Sequence, residues 1–142
     1  MSEKFDQIIR RLVGSDAKGR ITLSGVGLEL TVDMGGDRTT AAIDSLKVLA
    51  FDLAALCLSI EGATRVPAFL LHDSPREADL GLSIYHQLFQ LARELEEQTR
   101  QPLFQYIVTT TTRPSDDMTC APWLRLSLRG SPGPERLLGC DL

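Results

Sequence analysis

The sequence predicts an α/β domain with parallel core strands, flanked by helices and preceded by a β-hairpin. Two short apolar runs, one around residue 70 and one around residue 106, are separated by a segment of helical periodicity. Strands joined through a helix run parallel and cross over with a right hand. A longer stretch of helical spacing precedes the first run, and two alternating segments precede that. The resulting order of helix, hairpin, helix, strand, helix, strand, strand is an α/β pattern.

Each element has its own signal. Phe5, Ile8, Ile9 and Leu12 recur at helical spacing and Gly14 offers a stop, which predicts a short peripheral helix within residues 1–14. Arg20-Ile21-Thr22-Leu23-Ser24 and Leu28-Glu29-Leu30-Thr31-Val32-Asp33 alternate apolar and polar residues around Gly25-Val26-Gly27, a hairpin pattern. Ile43, Leu46, Leu49, Ala50, Leu53, Leu56, Cys57 and Ile60 step by threes and fours, predicting a long, mostly buried helix. Val66-Pro67-Ala68-Phe69-Leu70-Leu71-His72 reads as a strand buried on both faces, as does Phe104-Gln105-Tyr106-Ile107-Val108-Thr109. Between them, Leu80, Ile84, Leu88, Leu91 and Leu95 predict a helix over 78–98. Trp123-Leu124-Arg125-Leu126-Ser127-Leu128 alternates like an edge strand, with Trp123 as its anchor.

Composition bounds the function. With 142 residues, 43% hydrophobic and 24% charged, the chain has the balance of one domain spanning 1–142, large enough to form a core without staples. A net charge of −4 argues against a protein that coats nucleic acid, because phosphate neutralisation needs clustered Lys and Arg. Cys57, Cys120 and Cys140 are odd in number and lack metal-ligand spacing, which favours a reducing, cytoplasmic setting over disulfides or a structural zinc. The acidic start, Met1-Ser2-Glu3-Lys4-Phe5-Asp6, does not read as a signal peptide. The longest apolar stretch, 48–60, is interrupted by Asp52 and falls short of the roughly 20 residues a bilayer requires.

In open α/β sheets ligands sit beyond the carboxyl ends of the strands, which brings Asp73-Ser74-Pro75 and the threonines 109–112 to one rim. An aspartate ending an apolar strand suits magnesium beside phosphates, and equally suits a turn or helix cap. The neighbouring motifs weigh on that choice. Phe69-Leu70-Leu71, followed by Asp73-Ser74-Pro75-Arg76-Glu77-Ala78-Asp79-Leu80, resembles the Walker B and D-loop region of ABC-type ATPases of the SMC and DNA-repair class. Ser45-Leu46-Lys47-Val48-Leu49-Ala50-Phe51-Asp52-Leu53-Ala54 resembles the helix after their signature motif, and Gln105-Tyr106-Ile107-Val108-Thr109-Thr110 the strand entering their switch loop. The three occur in family order over roughly residues 35–112, and His72-Asp73-Ser74 is similar to a poorly characterised bacterial branch with coiled-coil insertions.

The resemblance implies a partial P-loop NTPase: residues 15–142 as the carboxyl-terminal lobe of an ATPase head, and 1–14 as the end of a coiled coil. Asp73 would serve magnesium; Ser74, Asp44 and either Thr109 or Thr110 would face the nucleotide. No Gly-x-x-x-x-Gly-Lys-Ser/Thr occurs, so Mg-ATP would be held only with a Walker A lobe supplied in cis or in trans. Ser74 stands where the family carries its catalytic glutamate, leaving Glu77 as the substitute base. The signature loop has two registers, Ala41-Ala42-Ile43-Asp44 and the literal Gly35-Gly36-Asp37-Arg38, and in either the plain alternative is a loop capped by Asp44 or Thr40.

Other groupings are thinner. Ser74, His86 and Asp79 make a hydrolase triad on paper, without a Gly-x-Ser-x-Gly elbow. Arg76, Arg113, Arg125 and Arg129 could line a phosphate- or DNA-facing edge or simply a solvated surface. The expected function is half of an SMC-like ATPase head acting in DNA repair, chromosome or defence work, silent by itself, self-associating, reaching DNA through the full assembly and making no use of a membrane. The alternative is a non-catalytic interaction module that keeps the lobe's fold.

Overall fold

A computed structural model describes residues 1–35, 40–75, 80–98 and 103–128. It is an α/β protein with helices α1 (Ser2–Val13), α2 (Thr40–Ile60) and α3 (Leu82–Glu97) and strands β1 (Lys18–Ser24), β2 (Gly27–Asp33), β3 (Phe69–Asp73) and β4 (Gln105–Thr109). The strands form two separate two-stranded sheets, β1-β2 antiparallel and β3-β4 parallel. The chain divides into two compact units, Met1–Thr112 and Arg113–Leu142.

The first unit is organised around α1. Phe5, Ile8, Ile9 and Leu12 fall on one stripe, and all four are buried in a core shared with α2 and α3. Burial of each such side chain contributes roughly 1.5–3 kcal/mol. The helix is therefore central to the core, where the sequence suggested a peripheral element. Gly14 ends it at φ 138°, with its N–H donating to the Arg10 carbonyl at 2.9 Å. Lys4 pairs with Glu61 just past α2 at 2.6 Å, and Arg11 pairs with Glu94 of α3. The Glu61 hydrogen bond raises the Lys4 pKa above its ordinary value.

The hairpin forms as its alternation predicts, with Ser24 opposite Gly27 and a two-residue Gly25-Val26 connection. Gly19, Ile21, Leu30 and Val32 face inward, while their neighbours Arg20, Glu29 and Thr31 are exposed. Its tip is apolar and bare: Leu23 is 85% exposed and Val26 100%. α1 lies so close to β1 that a Cβ on Gly19 would come within 2.9 Å of both Phe5 and Ile9. The Gly19 N–H donates to Asp6 Oδ1 at 2.8 Å, and this bond, seconded by Arg10, lowers the Asp6 pKa.

α2 runs longer than its periodic residues suggested and buries Leu46, Leu49, Ala50, Leu53, Ala54, Leu56 and Cys57. Burial raises the Cys57 thiol pKa. α3 begins at Leu82 after Gly81, later than expected from the leucine spacing, and residues 76–79 lie outside the described ones.

Three expectations need correction. β3 and β4 are not buried on both faces: Leu70, His72, Tyr106 and Val108 face the core, but Phe69, Leu71 and Ile107 lie on a bare face. A continuous apolar run reveals that both faces avoid water, and does not reveal whether this chain supplies both covers. The segment 123–128 is not a strand; it has no ladder partner, and Leu124, Leu126 and Leu128 are exposed. Trp123 is half-buried, its N–H donating to the Cys120 carbonyl, and so anchors no strand. A single 3₁₀ turn, Asp116–Met118, is the described regular element of the second unit.

Candidate functional site

Parallel pairing sets Asp73 beside Thr109 at the carboxyl end of both strands. The Thr109 hydroxyl donates to Asp73 Oδ1, and the Ser74 hydroxyl approaches the same oxygen at 3.4 Å. Ser74 adopts φ 46°, a left-handed conformation uncommon for a residue with a Cβ. Its N–H donates to the Thr109 carbonyl at 2.9 Å, extending the ladder one step beyond β3 and holding the turn. A carboxylate that accepts two hydroxyls keeps further lone pairs for a cation or a donor.

A cavity of about 560 Å³ opens beside this corner, lined by Asp73 and Ser74 on one side and by Asp44, Ser45, Val48 and Leu49 of α2 on the other. Asp44, Asp73 and Ser74, named from the sequence, thus meet in one cavity, with Thr109 tied to Asp73 from beneath. Asp44 is not a cap: it lies within the first turns of α2 and accepts from Lys47 Nζ at 3.0 Å. The Ala41-Ala42-Ile43-Asp44 register is consequently helix rather than loop. Most of the other register, residues 36–38, lies outside the described residues.

Thr110 turns elsewhere. Its hydroxyl meets the hydroxyl of fully buried Tyr85 at 2.8 Å, and Tyr85 also donates to the Thr112 carbonyl at 2.7 Å. Of the two threonines proposed for the switch position, Thr109 touches the Asp73 corner and Thr110 braces the following loop. Glu77, the proposed base, and Asp79 and Arg76 lie outside the described residues, as do Arg129 and Cys140. His86 is half-buried within α3 and packs beside Tyr85. Arg113 pairs with Asp116 at 2.9 Å, and Arg125 is exposed. Cys57 and Cys120 are free thiols, and among the described residues no three His, Cys, Asp or Glu side chains cluster as metal ligands.

His72 reads from the sequence as a strand-end residue packed or hydrogen-bonded behind the loop, and the structure adds its partners. His72, 9% exposed, makes two hydrogen-bonding contacts: Nδ1 with the Tyr106 hydroxyl at 2.8 Å and Nε2 with Asp52 Oδ2 at 3.1 Å. A neutral imidazole satisfies both when Nε2–H donates to Asp52 and Tyr106 O–H donates to Nδ1. Burial, helped by the Asp52 charge, pushes the Tyr106 phenol far above its usual pKa, so the hydroxyl stays protonated as that donor. The chain of contacts ties α2, β3 and β4 together immediately behind Asp73. A histidine next to a strand-ending aspartate, with a tyrosine on the same face of the next strand, was the available signal.

No family model matches the chain, and no curated protein matches it. No described helix is long and apolar enough to cross a membrane.

Proposed function

We propose that this chain is the carboxyl-terminal half of an SMC-like ABC ATPase head, which contributes Asp73 to the magnesium of a nucleotide held mainly by a Walker A lobe. The observation that carries this reading is the convergence of Asp73, Ser74 and Asp44 on one cavity at the carboxyl end of a parallel strand pair. That is where α/β sheets bind ligands.

The described cavity lining has aspartates and no lysine or arginine. With Asp44 paired to Lys47, a triphosphate entering it is repelled chiefly by Asp73 unless magnesium and cations from another lobe offset its charge. The chain alone is therefore a half-site. Asp73 would take the metal, Thr109 and Ser74 would orient its carboxylate, and Glu77 would be the available base. Because Asp44 shares the cavity with Asp73, it would serve the same nucleotide, whereas the family's signature loop serves the one held by the opposite subunit. The proposed setting is cytoplasmic, in an assembly of several copies that acts on DNA during repair, chromosome or defence work.

A second reading, a non-catalytic interaction module, is favoured by the uncovered face of β3-β4 and by Ser74 at the place of the catalytic glutamate. Calorimetry with Mg-ATP separates the two. Binding that requires both this chain and a Walker A lobe, and that is lost in Asp73→Asn, supports the split site. No binding in either arrangement moves the assignment to the interaction module, and turnover by the isolated chain overturns the half-site reading.

A further inference from the structure

We infer that the groove between α2 and the free edge of β3 binds an extended peptide strand from a partner protein, one that alternates basic and apolar side chains. The inference goes beyond the nucleotide reading and does not need it.

Two cavities follow one another along the strand. At one end Asp44 and Val48 of α2 face Leu71 and Asp73 across the larger cavity. At the other, Asp52 and Leu56 face Val66 and Phe69 across a second cavity of about 110 Å³. Positions 44, 48, 52 and 56 recur every four residues, so one face of a single helix lines both cavities. On the strand side, neighbours that point to opposite sheet faces line the same cavities: Phe69 with Leu70, and Leu71 with His72. Cavities touched by both faces run along an edge, and β4 occupies the other edge.

That edge offers backbone partners. Gln105 N–H donates to the Ala68 carbonyl, and Ser74 N–H to the Thr109 carbonyl. In a parallel ladder alternate residues bond to the same neighbour, so the N–H and C=O groups of Phe69, Leu71 and Asp73 point outward. No described residue bonds to them. An unpaired edge beside apolar side chains is a template for strand addition.

Charge selects the occupant. Asp44, Asp52 and Asp73 border the groove, and its described lining has no lysine or arginine. Lys47 compensates Asp44, whereas Asp52 uses Oδ2 on His72 and has no described partner at Oδ1. A strand presents alternate side chains to opposite sides. One set would place basic groups against Asp44 and Asp52 of α2, and the other would cover Phe69 and Leu71 on the sheet face they share with Asp73.

The test uses the full chain without nucleotide or magnesium, and a fluorescent Lys-Val-Lys-Val-Lys-Val-Lys-Val peptide followed by anisotropy. The alternating peptide should bind. A Glu-Val repeat should not, and neither should a peptide of the same composition with all its lysines in one block and all its valines in the next. N-methylation of the peptide at the alternate amides that would pair with β3 should weaken binding about tenfold or more, since two or more hydrogen bonds are lost. Asp52→Asn, which still accepts from His72, should weaken it about two- to fivefold. Amide shifts should centre on Phe69, Leu71 and Asp73. Absence of binding, equal binding of the block peptide, or indifference to N-methylation overturns the inference. So does a dimer, closed through this edge, that the peptide fails to dissociate. Mg-ATP binding by the reconstituted assembly is read separately, so the two proposals fail independently.

Discussion

Replacing Gly19 by alanine tests the account of the core at its tightest point. The new Cβ would stand 2.9 Å from Ile9 Cγ1, 2.9 Å from Phe5 Cδ1 and 3.0 Å from Phe5 Cε1. Both neighbours are fully buried, so neither can swing into solvent. Overpacking of this kind costs about 1–3 kcal/mol. Against it, the reduced freedom of the unfolded chain favours alanine by about 0.4–1 kcal/mol. From the middle of both ranges the net is a destabilisation of about 1.3 kcal/mol, equivalent to a fall of about 5 °C in Tm for a unit the size of Met1–Thr112. Gly25→Ala is the matched control, because nothing lies within 4 Å of its added Cβ, and its Tm should hold or rise slightly. Phe5→Leu costs stability by itself but removes the Cε1 contact and leaves a smaller, non-planar side chain whose δ-carbons can turn from the new Cβ, so the Gly19→Ala/Phe5→Leu pair should lose less than the sum of the singles. Thermal melts by circular dichroism read the parent and the four variants. A Gly19→Ala chain as stable as the parent, or an additive double-mutant cycle, would refute the close approach of α1 to β1.

Three further outcomes follow from side chains already described. Tyr106→Phe removes the donor to His72 Nδ1 and leaves a buried acceptor unpaired, so urea unfolding should show a loss of about 1–3 kcal/mol; an unchanged midpoint would count against the His72 chain. The Asp6 carboxyl is held below its ordinary pKa by the Gly19 N–H and then by Arg10, so its stabilisation is present above the unfolded value, about 3.9, and is lost as pH falls through the folded one. The stability gap between the parent and Asp6→Asn should therefore narrow in acid, and a gap that stays constant from neutral pH to strong acid would contradict this. Ile107→Lys on the bare face of β4 should leave Tm nearly unchanged while reducing concentration-dependent light scattering, and scattering that does not respond would show that self-association does not use this face.

What the sequence made legible followed from local periodicity. Phe5, Ile8, Ile9 and Leu12 declared α1, the leucine spacing declared most of α3, and Gly25-Val26-Gly27 marked the hairpin, because each pattern is set by neighbours along the chain. The Asp73-Ser74 corner was legible for the same reason, as a polar stop to an apolar run. Features that depend on a second element were not. Leu124, Leu126 and Leu128 alternate like a strand, but alternation does not create a ladder partner. Phe69 and Leu71 look like core residues because a bare apolar face and a covered one have the same composition. Thr109 and Thr110 are chemically alike and adjacent, and only their opposite directions from the end of β4 give one to Asp73 and the other to Tyr85. The Asp52–His72–Tyr106 chain joins residues far apart in sequence, none of which forms a motif with its immediate neighbours.

α2 touches β2 of the hairpin and β3 of the parallel pair, although the two sheets share no strand. As a continuous helix of 21 residues it is a rod of about 30 Å. Asp52 lies twelve residues from Thr40, about 18 Å along the rod, so a pivot of about 5° about that end displaces it by roughly 1.5 Å. A shift of that size is about half the His72–Asp52 separation of 3.1 Å. Mechanically, α2 is a beam touched by both sheets, and a small tilt of it loads the Asp52 contact.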